Sequence, residues 1–143
     1  MSDPLGYSGT PLAQKLGLKD GQRALFIDLP SSLAQLTVSR NFMESSRVTV
    51  DQLGDAAPGY DFIYLFTTAR AVLEALAQPL MALIARDGMI WVSWPKRAAK
   101  VATDITEDIV RAVVLPIGLV DVKVCAVDQT WSGLKLVIRK ELR

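Results

Sequence analysis

The sequence predicts an α/β domain in which helices cover both faces of a mainly parallel sheet. Three observations carry this. The runs Ala24-Leu25-Phe26-Ile27, Asp61-Phe62-Ile63-Tyr64-Leu65-Phe66 and Met89-Ile90-Trp91-Val92 are apolar at nearly every position, as strands buried on both faces are. Segments of helical spacing lie between such runs, which is the signature of parallel crossovers. Two further strand-like segments close the chain across the short link Gln129-Thr130, which makes the last one antiparallel to its predecessor.

The elements follow in order. Thr10 and Pro11 read as a cap and first helical residue, and the helix stops at Gly17. Lys19-Asp20-Gly21 is a turn. After the 24–27 strand, Asp28-Leu29-Pro30-Ser31-Ser32 turns the chain, with Ser31 or Ser32 capping a helix from about Leu33. Val48-Thr49-Val50 is β-branched and reads as the second strand. Residues 54–59 form a loop before the third strand, 61–66. Val72, Leu73, Leu76, Leu80 and Leu83 give 69–84 a helical stripe, which Pro79 should kink or divide. Arg86-Asp87-Gly88 leads into the strand at 89–92. Asp104-x-x-Glu107 resembles a capping box for a helix over 105–114, ended by Pro116 and Gly118. In the next strand, 119–127, alternation places Val120, Val122, Val124 and Ala126 on one face and Asp121, Lys123 and Cys125 on the other. The last strand covers 131–139.

This order predicts a three-layer, Rossmann-like sheet of about six strands, arranged 2-1-3-4-6-5 with the last strand antiparallel. A closing antiparallel hairpin is the ending of the methyltransferase-like variety of that fold. The short segment between the first two parallel strands implies a reduced form lacking one strand–helix unit. The whole chain, 1–143, reads as a single domain, with an arm and short helix at 1–22 and the Rossmann-like core at 23–143.

Composition narrows the function. Of 143 residues, 50% are apolar and 22% charged, with a net charge of +1. That balance offers no global attraction to nucleic acid or an anionic membrane, and it favours self-association, so a homodimer is expected. No apolar stretch is long enough to span a bilayer. Met1-Ser2-Asp3-Pro4 has no signal-peptide pattern, so a cytoplasmic location is expected. The chain has one cysteine and no histidine. Histidine-based triads, histidine metal ligands and the usual general base near neutral pH are therefore absent, and no metal site is predicted.

Four segments resemble a family of small bacterial proteins known as a domain of unknown function. They are Gly6-Tyr7-Ser8-Gly9-Thr10-Pro11-Leu12-Ala13, Trp91-Val92-Ser93-Trp94-Pro95-Lys96, Ala102-Thr103-Asp104-Ile105-Thr106-Glu107-Asp108, and residues 122–135, which run from Val122-Lys123-Val124-Cys125 to Trp131-Ser132-Gly133-Leu134-Lys135. The resemblance covers nearly the whole chain, least so at 31–58, and implies no activity, cofactor or catalytic residue.

Candidate sites follow from the topology. In open parallel sheets ligands sit outside the carboxyl ends of the strands. A dinucleotide or S-adenosylmethionine site there needs a glycine-rich first turn, and Asp28-Leu29-Pro30-Ser31-Ser32 contains no glycine. Asp28, Ser31 and Asp51, the last placed where a carboxylate would bind a ribose, are therefore weak cofactor candidates. Further along the edge, Ser93, Trp94 and Lys96 should meet Asp128, Thr130, Trp131 and Ser132. There the tryptophans would stack on a planar ligand, and Lys96, Arg97 and Lys100 would attract phosphate or carboxylate. The bland reading has Trp94 and Trp131 covering the sheet edge and Asp128 fixing the hairpin. Asp104, Glu107 and Asp108 suit a helix N-terminus better than a cation, and Cys125 suits a buried thiol better than a nucleophile. The basic residues are scattered outside 96–100, which argues against nucleic acid. The leading expectation is thus a ligand- or protein-binding module with no resident cofactor. The rival is an enzyme at the carboxyl edge, in its most natural form an S-adenosylmethionine-dependent methyltransferase.

Overall fold

The computed structural model describes residues 11–143. The Thr10 cap and the start of the N-terminal arm, residues 1–10, lie outside the described residues. Six strands form one sheet: β1 (Arg23–Ile27), β2 (Glu44–Val48), β3 (Tyr60–Phe66), β4 (Ile84–Pro95), β5 (Leu119–Ala126) and β6 (Trp131–Ile138). Their order is β2-β1-β3-β4-β6-β5, as expected, with β6 antiparallel to both neighbours and the remaining pairs parallel.

The helices divide the core in two. Helices α2 (Arg70–Leu83) and α3 (Glu107–Val114) cover one face, burying Leu73, Leu76, Leu80, Val110 and Val114 against Leu25, Ile63, Val92 and Leu134. The short helix α1 (Leu12–Leu16) and the 3₁₀ segment Ser31–Val38 cover the other, against Phe26, Phe62, Tyr64, Phe66 and Trp91. The Trp91 indole N–H donates to the Leu16 carbonyl at 2.8 Å, which satisfies a buried donor and pins α1 to the sheet.

Several expectations need correction. The segment after β1 is a 3₁₀ helix, because its buried residues Leu33 and Leu36 are three apart and so stack on one side of a three-residue turn. The second strand is Glu44–Val48, not 48–50. It lies at the sheet edge, where alternate residues face solvent, so an apolar run does not mark it. Its register is held at one end by the Arg23–Glu44 ion pair (3.0 Å) and at the other by the Asp28 N–H donating to the Val48 carbonyl (2.9 Å). Helix α2 runs continuously through Pro79, so the proline does not divide it; Pro79 lies on the exposed side of the helix. Helix α3 begins at Glu107, with Thr106 as its cap accepting from the Ile109 N–H. Asp104 instead accepts from the Arg70 N–H at 2.7 Å and so caps α2. In β5 a bulge between Asp121 and Lys123 breaks the alternation. Asp121 and Val124 then share the face of Leu136 and Leu134, while Lys123 and Cys125 share the opposite one. Val122 and Val124 are left exposed at the sheet edge.

Arg111 ties α3 to β5. Its guanidinium pairs with Asp121 (2.8 Å), Asp108 (3.3 Å) and Glu107. The hydrogen bond from Arg111 holds the Asp121 carboxyl below its ordinary range. Its stabilising contribution is therefore complete above the unfolded value of about 3.9 and is lost as pH falls through the lowered folded value. Urea unfolding from about pH 5 to about pH 2 should show a component of acid destabilisation in the wild type that Asp121→Asn lacks. Parallel pH profiles for the two proteins would contradict this.

Candidate functional site

The carboxyl ends of β1 to β5 and the start of β6 share one edge, and the sequence-predicted residues fall along it. After β1, Asp28 adopts a left-handed conformation (φ 55°). Its carboxylate accepts from the Val50 N–H at 3.3 Å, and the Leu29 carbonyl accepts from Arg47 at 2.9 Å. Leu29 is buried, whereas Ser31 and Ser32 are exposed at the start of a 3₁₀ helix that no side chain caps. Asp51 is exposed in the first turn of the 3₁₀ segment Val50–Asp55, which the reciprocal Thr49–Gln52 capping box opens, and among the described residues Asp51 forms no ion pair.

After β4, the chain meets the β5–β6 hairpin directly. Pro95 faces Trp131, Trp94 faces Ser132, and the Lys96 N–H donates to the Thr130 carbonyl at 2.7 Å. One Asp128 carboxylate oxygen accepts from the Thr130 N–H (2.8 Å) and the Trp131 N–H (2.7 Å), so that carboxylate holds the hairpin turn. The two tryptophans do not form one wall. Trp94 is buried among the residues beneath α2 and α3, while Trp131 packs on the opposite face, edge-on to Phe66 at 5.2 Å. Alternation along paired strands requires this separation, because Trp94 and Pro95 point to opposite faces and Trp131 follows Pro95.

Ser93 is fully buried, so it lies beneath the surface of the edge. Its hydroxyl shares a 2.7 Å hydrogen bond with Tyr64, a partner that the sequence did not single out. Burial pushes the Tyr64 phenol well above its ordinary range, so it remains neutral. Gly133 leaves room for this pair: a Cβ there would meet Ser93 Oγ, Trp91 and Val127, each at 3.2 Å.

The third strand contributes Thr67, whose N–H donates to the Ser93 carbonyl and whose hydroxyl accepts from Ala69. The loop after β4 crosses above this point, where Thr103 donates to the Thr68 carbonyl at 2.7 Å. Asp104, Glu107 and Asp108 are consumed by the α2 cap and by Arg111, and among the described residues no cluster of histidine, cysteine or carboxylate side chains suits a metal ion. Cys125 is buried, and burial pushes its thiol up, which makes it a poor nucleophile. Away from this edge, a groove of about 360 Å³ lies between α2 and α3, lined in part by Glu74, Ala75, Pro79, Ala112 and Val113. Among the described residues, no helix is long and apolar enough to cross a membrane.

Neither a protein-family model nor a curated protein sequence matches the chain. Solved structures do. The chain is similar to an S-adenosylmethionine-dependent methyltransferase from Aquifex aeolicus, with 16% identity, a TM-score of 0.65, and 89% of this chain and 87% of that one covered. It is also similar to the N-methyltransferase NodS from Bradyrhizobium japonicum, with 11% identity, a TM-score of 0.61, and 90% and 93% covered. A third is Aeropyrum pernix fibrillarin, solved with natively bound S-adenosyl-L-methionine, with 13% identity, a TM-score of 0.61, and 88% and 73% covered. At such identities the likeness is one of fold, and the chain has the methyltransferase-like Rossmann α/β fold.

The Asp128 turn yields a direct test. Asp128→Ala leaves two backbone N–H groups without their charged acceptor and should cost about 1–3 kcal/mol in urea unfolding. Asp128→Asn, which keeps an acceptor, should cost less. A loss below about 0.5 kcal/mol for the alanine variant would show that the carboxylate does not hold the hairpin.

Proposed function

We propose that the chain binds a small molecule at the carboxyl edge of its sheet, and that the ligand is of the S-adenosylmethionine type. The observation that carries this is the edge itself. Among the described residues, the two non-glycine residues with positive φ, Asp28 and Lys100 (φ 57°), follow β1 and β4, the strands on either side of β3. Backbone strain of this kind concentrates where ligands bind. The solved structures of the same fold support the choice of ligand, since those reported above include an S-adenosylmethionine-dependent methyltransferase and a fibrillarin with S-adenosyl-L-methionine bound.

The residues present suit such a ligand in their polar groups. Ser31 and Ser32 offer hydroxyls and uncapped N–H groups to a carboxylate, and Asp51 offers an exposed carboxylate to a ribose diol. They depart from it in close approach: without glycine at 28–32, side chains hold a ligand further from the backbone, and the donors left in the turn are those of Ser31 and Ser32. When bound, S-adenosylmethionine supplies an electrophilic methyl group. The chain has no histidine, so a group methylated here attacks without a histidine base.

A second reading, a binding module without this cofactor, is favoured by the same turn. Pro30 has no N–H, and the Asp28 and Leu29 polar groups are engaged with the end of β2.

Calorimetric titration with S-adenosylhomocysteine separates the two. Binding is expected with a Kd between about 10 μM and about 1 mM. Asp51→Asn should weaken it by roughly tenfold, the worth of one hydrogen bond to a charged group. Asp28→Gly, which suits the left-handed φ and removes the side chain, should tighten it. Absence of heat and of thermal shift at millimolar ligand would sink this proposal in favour of the second reading.

A further inference from the structure

We infer that the loop at residues 96–100 is an oxyanion-recognition element and that a second molecule, bound at this edge beside the adenosyl-type ligand, carries a phosphate or pyrophosphate group. The inference rests on reading the carboxyl edge as the binding surface, and it names the chemistry of what binds there.

Lys96, Arg97 and Lys100 lie within five residues around the 3₁₀ turn Arg97–Ala99. Among the described residues, none of the three forms an ion pair. Arg23 pairs with Glu44, Arg70 with Glu74, Arg111 with three carboxylates and Arg139 with Glu141, whereas Arg97, like Arg40, Arg47, Arg86 and Arg143, forms no ion pair among the described residues. The carboxylates flanking the loop are committed elsewhere. Asp104, four residues on, accepts from the Arg70 N–H (2.7 Å), and Asp128, on the facing hairpin, accepts from Thr130 and Trp131. These carboxylates are thus directed at backbone N–H groups, and neither is ion-paired with Lys96, Arg97 or Lys100.

The loop is also fixed in place. Lys96 is held by its N–H bond to Thr130, the Ala99 and Lys100 N–H groups bond back to Lys96 and Arg97, and Lys100 is held left-handed. An anchored turn carrying three cations matches a group of charge two or three better than a single carboxylate. Lysine acts there as a point charge, and arginine donates in a fork.

The test is titration of the full chain with inorganic pyrophosphate at low salt, by calorimetry. Stoichiometric binding is expected in the wild type and at least tenfold weaker binding in the Lys96→Gln, Arg97→Gln, Lys100→Gln triple variant. Affinity should fall as salt rises. Lys100→Gly, which keeps the left-handed turn while removing one charge, provides a second variant and should weaken binding severalfold. Lys140→Gln, at the far end of the chain, should leave it unchanged. No binding in the wild type, or binding by the triple variant within twofold of it, overturns the inference. Citrate binding as tightly as pyrophosphate overturns the phosphate assignment. A parallel titration with S-adenosylhomocysteine keeps the readings apart: its failure with pyrophosphate binding intact sinks the adenosyl ligand and leaves the loop assigned.

Discussion

The carboxyl edge is organised by β4, a strand parallel to β3 on one side and antiparallel to β6 on the other. It is buried on both faces, with Trp91 beneath α1 and Trp94 beneath α2 and α3. Because β6 runs backward, its start lies beside the end of β4, and the Lys96–Thr130 bond closes that junction. The Tyr64–Ser93 hydrogen bond joins β3 to β4 just below the surface. A buried hydroxyl pair of this kind has no inexpensive alternative partner, so it fixes side chains in register as well as backbone. The positions of Thr67, Lys96 and the hairpin turn all follow from this arrangement.

The central strands were legible in the sequence because burial on both faces writes itself as an apolar run: 24–27, 61–66 and 89–92 all fall within strands. The sheet order was legible because crossovers and a short hairpin leave few alternatives. The edges were not. Glu44–Val48 is half exposed and polar, and in β5 one extra residue reverses the faces of everything before it. Capping was legible in kind but not in partner. Asp104 does cap a helix, yet that helix is α2, thirty-four residues back in the chain, because loop 100–106 folds over the end of β3.

The candidate site was legible as a location and less so as a set of side chains. Contact between 93–96 and 128–132 follows from topology, and the structure has it. Which faces the side chains take depends on pairing in register, and that separates Trp94 from Trp131 and places Ser93 under the surface. The strain at Asp28 and Lys100 left no trace, since neither is glycine and aspartate and lysine are both common in ordinary loops. What remains at the edge is a division of labour. Asp104 and Asp128 are spent on backbone N–H groups, while Ser31, Ser32, Asp51 and the basic loop remain open to solvent or ligand. The methyltransferase-like fold explains where a ligand would sit. The glycine-free first turn explains why any adenosyl ligand should be held less closely than a glycine turn permits.

The most direct measurement of the central claim is an amide chemical-shift map of the ¹⁵N-labelled chain during titration with S-adenosylhomocysteine. Saturable shifts are expected at the carboxyl edge alone, strongest at residues 28–32 and 49–52 and extending to 67–69 and 96–100. Shifts centred on the groove between α2 and α3, or no shifts at millimolar ligand, would contradict the claim.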